Sequence, residues 1–422
     1  MDNNTLLELL RDQKQELSHY ASMHFCKRKE EKEINLNSKK AQVVIGVRRC
    51  GKSTLCYQAL TAANVNFAYV NFDDERLGKL GADSLNEVLR ALYQIYGDFT
   101  HLFIDEAQNI DGWHLFVNRL LRQGLKIIIT GSNAKLLSSE LSTHLTGRYN
   151  EIELYPFSFG EFCEVQEVST IDFTTKGDAF LRTAFENYLQ IGGFPEIANG
   201  EETPEPYIDT LVSNIIERDI VQRFKIKYRD AFTTLTNHML NNAPCGIVLT
   251  KLQQLFNIKT DHTVENYLSY MFQAYLMMRV RKFSTKSSER VRNAKCYVVD
   301  VALMNARKDA FSGKNLGLRL ETVVYIELRR RYGVGYDIYF YLTDSYEVDF
   351  VVCHRNTVIE LIQVSYNISN DKTYRRELNA LLKASTPLKC NNLTLITAFD
   401  EKTIEESGKT INVRAAYRWL LS

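Results

Sequence analysis

Residues 46–53, Gly-Val-Arg-Arg-Cys-Gly-Lys-Ser, stand directly after the apolar run AQVVI and directly before the helical pattern STLCYQAL. A strand, a glycine-bounded turn, a lysine, a hydroxyl and then a helix constrain the fold more than any other stretch of the chain. The two glycines let the backbone wrap an anion, and the amide N–H groups and the helix N-terminus supply it with positive potential. In this reading Gly46, Val47, Arg48, Arg49, Cys50, Gly51, Lys52, Ser53 and Thr54 cradle a nucleoside triphosphate, most naturally ATP. Lys52 reaches the β- and γ-phosphates, Ser53 ligates Mg²⁺, and Thr54 offers a second hydroxyl one position on. The alternative is a glycine turn carrying a surface lysine, which the flanking strand and helix disfavour.

Four apolar runs, AQVVIGV, VNFAYVNF, THLFIDE and KIIITGS, alternate with helical patterns between residues 41 and 153. Short, continuously apolar strands between helices predict a parallel sheet covered on both faces. Residues 1–40 read as an N-terminal helical extension, with Leu6, Leu7 and Leu10 on one face. After Tyr155-Pro156 the pattern turns helical through residue 230 and predicts a helical lid. Residues 231–305 read helix, turn, helix, strand pair, an order that suggests a winged-helix-like domain. Residues 306–422 read as a separate α/β domain. The predicted class is therefore α/β, a P-loop NTPase sheet with a helical lid, a winged-helix-like domain and a final α/β domain.

HLFIDEAQNI ends a hydrophobic run in two acids. Asp105 is placed to hold Mg²⁺ through water, and Glu106 to orient and deprotonate an attacking water, the step that separates hydrolysis from binding. The next run, KIIITGSNAKLL, finishes in Ser132 and Asn133, either of which suits a sensor of the γ-phosphate, with Asn133 preferred. Arg148, in LTGRY, is a candidate arginine finger, in cis or in trans, or else a surface salt-bridge partner.

The 52 Lys and Arg against 51 Asp and Glu leave no global field to announce nucleic acid or an anionic membrane. The N-terminal residues lack the features of a secretory leader, and no apolar run approaches the roughly 18 residues needed to cross a bilayer. A cytoplasmic protein without a membrane span is expected, in line with a mean hydropathy of -0.26. The 8 cysteines are scattered without CxxC pairs, which argues for reduced thiols over zinc or disulfides. A local basic stripe, Arg279, Arg281, Lys282, Lys286, Arg290, Arg292 and Lys295, faces the single acid Glu289 and could hold a DNA backbone, or else form a solvated hairpin. The preceding helix shows Glu265, Asn266 and Ser269 where a groove-reading helix would offer Arg or Lys.

Taken together, GVRRCGKSTL, YVNFDDERL, FIDEAQNI, TGSNAKLL, LTGRY, ELYPFSFGEF, GGFPE and Arg218-Asp219-Ile220 resemble a prokaryotic family of AAA-like ATPases. Members of that family carry a C-terminal domain of unknown function with a restriction-endonuclease-like fold, and the resemblance spans nearly the whole chain. It implies that the last domain is similar to a PD-(D/E)XK nuclease, with Glu321 and Asp349 at the first two catalytic positions. The third position departs from the pattern, because aligning LIQVS with the typical IEVKS puts Gln363 at the acid and Ser365 at the lysine. A neutral amide and a hydroxyl supply neither the second carboxylate nor the charge. Glu360, three residues before Gln363, falls on the opposite face of the strand.

The expectation is an ATP-driven switch whose nuclease-like domain is catalytically silent and moves toward DNA or a protein partner, with self-association open. A nucleic-acid-binding module with structural ATP is the alternative, and an active metal-dependent nuclease a lesser one.

Overall fold

A computed structural model of the chain describes residues 2–20, 23, 25–78, 80, 81, 84–132, 145, 147–172, 174–284, 286, 289, 293–305 and 315–422. The chain divides into two compact units, Met1–Tyr155 with Gln273–Tyr275, and Pro156–Phe272 with Leu276–Ser422. The break falls at the Tyr155-Pro156 step, where the sequence pattern changes from apolar runs to helix.

In the first unit, α1 (Asn3–His19) is followed by β1 (Ala41–Ile45), α2 (Lys52–Ala62), β2 (Phe67–Asn71), α3 (Leu85–Tyr96), β3 (His101–Asp105), α4 (Trp113–Arg122), β4 (Lys126–Gly131) and β5 (Tyr149–Glu153). All five strands pair parallel, in the order β2-β3-β4-β1-β5. β1 and β3 are buried along their whole length, as continuous apolar strands under helices must be. This order puts the C-terminal ends of β1, β3 and β4 side by side, so the loops that leave them converge.

The N-terminal helix is part of this unit and not an appendage. Its buried face is Leu6, Leu9, Leu10, Gln13 and Leu17. Gln13 bonds in both directions with Asn71 at the end of the edge strand β2, donating Nε2 to the carbonyl at 2.9 Å and accepting its N–H at 3.0 Å. A side-chain amide thus closes backbone groups that an edge strand would otherwise leave open.

The second unit begins with α5 (Phe159–Val165), α6 (Thr175–Ile191), α7 (Pro195–Ala198) and α8 (Pro204–Asn214), which runs into a π-helical stretch, Ile215–Gln222, holding the Arg218-Asp219-Ile220 triplet. Then come α9 (Arg229–Asn242), β6 (Cys245–Gly246), α10 (Leu249–Leu255), α11 (Asp261–Gln273), β7 (Met277–Lys282), β8 (Ala294–Val298) and α12 (Ala302–Asn305). The rest is α13 (Leu316–Arg331), β9 (Tyr336–Leu342), β10 (Glu347–His354), β11 (Thr357–Ser365), α14 (Asp371–Leu388), β12 (Leu393–Thr397), β13 (Lys402–Glu406), β14 (Lys409–Ala415) and α15 (Ala416–Trp419).

The expected order of helix, helix and strand pair is present, but the strand pair does not close off a separate domain. β7 runs parallel to β9, with Arg281 opposite Tyr339 and Lys282 opposite Phe340, and one nine-stranded sheet runs β13-β14-β12-β11-β10-β9-β7-β8-β6. Segments 231–305 and 306–422 therefore share a sheet, which corrects their reading as separate domains.

The GGFPE segment has a packing reason. A Cβ on Gly193 would lie 2.2 Å from the Phe157 carbonyl oxygen, and one on Gly192, at φ +74°, would lie 1.8 Å from Asp300 Oδ1. Asp300 is buried and accepts the Gly193 N–H at 3.0 Å and the Ala302 N–H at 2.8 Å, tying the end of α6 to the end of β8. No helix among the described residues is long and apolar enough to cross a membrane.

Candidate nucleoside triphosphate site

The loop between β1 and α2 turns through three left-handed or glycine-only positions, Gly46 at φ +154°, Arg49 at φ +68° and Gly51 at φ +95°. At Gly46 the requirement is also spatial, since a Cβ would lie 2.1 Å from the Leu154 carbonyl oxygen. Val47 and Cys50 are buried, Arg48 pairs with Asp73, and Ser53 and Thr54 are half-buried in the first turn of α2. The first amides of α2 have no intrahelical acceptor, which suits them to an anion.

β3 delivers Asp105 and Glu106 to this loop. Ser53 donates its hydroxyl to Asp105 Oδ1 at 2.9 Å, Thr130 donates to the same oxygen, and Tyr69 donates to Oδ2 at 3.2 Å. Burial raises the Asp105 pKa, Glu106 adds to the rise, and the Thr130 and Ser53 hydroxyls oppose it. Burial pushes the Tyr69 phenol up as well, so it remains a donor. A serine hydroxyl against a carboxylate is a hard-oxygen pair of the kind Mg²⁺ takes beside phosphate.

Glu106 adopts a left-handed backbone, φ 50° and ψ 48°, which re-aims its side chain away from the strand. Oε1 lies 3.5 Å from Lys52 Nζ, while Oε2 accepts from the Ser132 hydroxyl at 2.9 Å, the Ser132 amide at 3.2 Å and the Gln108 amide. Burial works to raise the Glu106 pKa, but Lys52, Gln108 and Ser132 outweigh it and the net displacement is downward, leaving an anion at neutral pH. Lys52, 5% exposed, also donates to the Val47 carbonyl at 3.1 Å. Desolvation pulls its pKa down, and Glu106, Cys50 and Asp105 more than restore it, so it stays charged.

The structure thus brings together Lys52, Ser53, Asp105, Glu106 and Ser132. Asn133 lies outside the described residues. Arg148 is not brought to the loop of its own chain. Its carbonyl accepts the N–H of Ala41, at the start of β1, while the loop leaves the other end of that strand, and its Nη1 donates to Asn118 at 2.6 Å. Three residues that the sequence reading did not select also bond these groups: Tyr69, Gln108 and Thr130. For Gln108 and Thr130 a signal existed, as the first polar residues after DE and at the end of IIIT.

In the second unit, Glu321 on α13 and Asp349 on β10 also meet, though differently. Glu321 Oε1 accepts from Tyr297 at 2.6 Å and lies 3.5 Å from Lys295 Nζ, which also pairs with Glu347. Asp349 Oδ2 accepts the Val364 amide at 2.9 Å, and its own amide donates to Gln363 Oε1 at 3.2 Å. The Gln363 amide in turn donates to Glu377 at 2.6 Å, and Ser365 donates to the Asn367 carbonyl at 3.2 Å. Burial and Glu321 raise the Asp349 pKa strongly, against the opposing charge of Lys295. Glu360 bonds Tyr332 and Thr394 and takes no part in this cluster. Among the described residues no group of three or more His, Cys, Asp or Glu is arranged to hold a metal.

The basic stripe is largely committed to acids. Arg279 pairs with Glu265 at 2.7 Å, Lys282 and Lys286 each lie 3.6 Å from Glu289, and Lys295 belongs to the cluster just described. Arg290 and Arg292 lie outside the described residues. Among the described residues of the stripe, Arg281 is exposed and stands outside these ion pairs.

Comparison with known proteins agrees with the geometry of the first unit. Residues 38–163 match the model of an AAA domain, and residues 182–314 and 316–415 match two domains of unknown function. An uncharacterized protein of Haemophilus influenzae is 29% identical over 343 residues, 78% of this chain and 82% of its own. Among solved structures, a Walker-type ATPase of Pyrococcus abyssi covers 66% of this chain and 95% of its own at a TM-score of 0.43 and 16% identity. A RuvB mutant of Thermotoga maritima covers 57% and 82% at a TM-score of 0.32 and 16% identity. The uncharacterized protein MJ1544 of Methanocaldococcus jannaschii is 35% identical over 405 residues, 92% of this chain and 90% of its own. The chain belongs to the family of that archaeal protein, and its first unit carries an AAA-type P-loop ATPase domain.

Proposed function

We propose that the chain is a Mg²⁺-dependent ATP hydrolase in which the second unit receives the work of the first. The observation that carries the reading is the joining of the two motifs: Ser53 on Asp105 at 2.9 Å, beside Lys52 on Glu106 at 3.5 Å. Mg²⁺ held by Ser53 and, through water, by Asp105 would neutralise β- and γ-phosphate charge. The amides of the loop and of the first turn of α2 hold the phosphates. Lys52 has three N–H donors, one spent on Val47 and one on Glu106, which leaves one for the phosphates. Glu106, anionic and steadied by Ser132 and Gln108, accepts the proton of the attacking water. Ser132 acts as a sensor by bonding that base.

For the second unit we read a PD-(D/E)XK-like arrangement, a helix, an antiparallel meander, a helix and a parallel strand, without the nuclease chemistry. Gln363 spends its amide on Glu377 and Asp349, and Lys295 pairs with Glu321 and Glu347, so the polar groups are consumed among themselves. Its role in this reading is to bind a partner when the first unit changes nucleotide.

The test is phosphate release by purified protein with Mg²⁺ and ATP. Lys52→Ala and Glu106→Gln should abolish it, and wild-type release no higher than theirs removes the proposal.

A further inference from the structure

Arg28 lies just before a short 3₁₀ turn, Lys29–Glu33, in a stretch with no motif, yet it is only 4% exposed. Its Nη1 donates to the carbonyl of Cys50 at 3.1 Å and its Nη2 to that of Tyr155 at 2.7 Å, while Glu30 stands farther off at 3.9 Å. Taking a guanidinium out of water is costly, so a buried one that grips two carbonyls must hold something in place.

What it holds is a peptide plane of the phosphate loop. In a trans peptide the C=O of one residue and the N–H of the next point in opposite directions. The bond that draws the Cys50 carbonyl toward Arg28 therefore turns the Gly51 N–H the other way, at the N-cap of α2, where Gly51 takes φ 95°. The same face of the loop is braced by the chain that follows β5. The Leu154 amide donates to the Ile45 carbonyl at 2.7 Å, Cys50 Sγ donates to the Leu154 carbonyl at 3.4 Å, and Gly46 packs against that same carbonyl. Arg28 ties this brace and the loop together with one side chain.

Resting on the nucleotide-site reading above, we propose that Arg28 is a positioning residue for the phosphate chain, fixing the Cys50-Gly51 peptide so that the Gly51 amide is presented to the phosphates. A lysine here would offer its donors from a single nitrogen, whereas the guanidinium sets N–H groups on two separate nitrogens of a rigid fork, one to each carbonyl.

The experiment is steady-state ATP hydrolysis by the full chain for wild type, Arg28→Lys, Arg28→Met and Arg28→Ala, the last with and without millimolar guanidinium. Losing an amide contact to a charged phosphate should raise KM about ten- to a hundredfold in Arg28→Met, with kcat within about threefold. Arg28→Lys should fall between that and wild type, and added guanidinium should lower the KM of Arg28→Ala without altering that of wild type. KM unchanged in both Arg28→Lys and Arg28→Met overturns the proposal while the ATPase reading stands. Loss of kcat and thermal stability together, without rescue, overturns it in favour of a purely structural role. A wild type that does not hydrolyse ATP overturns the underlying reading and this proposal with it.

Discussion

Both units set a lysine among carboxylates, and the two clusters differ in what they leave over. Around Lys52, the serine bonds Asp105, one ammonium N–H is left over after Val47 and Glu106 have taken theirs, and Glu106 is held as an anion. Around Lys295, an ammonium faces Glu321 and Glu347, while an amide stitches Asp349 to Glu377. A buried charge cluster becomes a site through the bonding capacity it keeps, and a brace through the capacity it uses up.

That contrast can be broken most directly by exchanging the readouts. Glu106→Gln should lower ATP hydrolysis by about a hundred- to ten-thousandfold. Glu321→Gln and Asp349→Asn should leave hydrolysis within about twofold, and metal-dependent nicking of DNA that disappears in Asp349→Asn would overturn the reading of the second cluster.

Stability should show the reverse order. Lys295→Met leaves the half-buried Glu321 and the more exposed Glu347 without their shared cation and should cost about 2–3 kcal/mol in denaturant unfolding of the second unit. Lys52→Met should cost clearly less, because Ser132 and Gln108 still bond Glu106. Equal losses would dissolve the distinction between site and brace.

A smaller effect sharpens the role of burial. Asp300 is pushed up to about 6 by desolvation, against the opposing Ala302 and Gly193 N–H bonds, from the ordinary value of 3.8. The folded chain therefore holds this proton more tightly than the unfolded one. The stability it contributes is complete below about pH 4 and is lost as pH rises through 6, on the order of 3 kcal/mol. Between pH 5 and 7.5, wild type should lose stability relative to Asp300→Asn, and parallel profiles would reject the assignment. Least of all, Gln13→Ala should cost about 1–2 kcal/mol in the first unit by opening the edge of β2, readable as faster amide exchange at Asn71.

The sequence made the first site legible because its parts are contiguous. Gly46, Gly51, Lys52 and Ser53 fall in one turn, and Asp105 and Glu106 at the end of one apolar run. Lys295 and Arg28 were not legible in the same way. Lys295 read as one more cation of a basic stripe, and only strand pairing brings it against Glu321 and Glu347. Arg28 sits in a solvated-looking KRKEEKE and acts on carbonyls, which carry no residue identity. Asp300 is a lone acid after an apolar run, and nothing local marks its tie to GGFPE. The shared sheet was hidden for the same reason, since the pairing of β7 with β9 spans two rungs between segments that each look complete.

That pairing bears on how the chain can be divided. The two family models of unknown function meet near residue 315, between β8 and β9, yet their strands lie in one sheet. A fragment cut there would bare the edge of β9 on one side and of β7 on the other, each a row of open N–H and C=O groups ready to recruit another molecule. In this chain, the two regions are best expressed and purified as one piece.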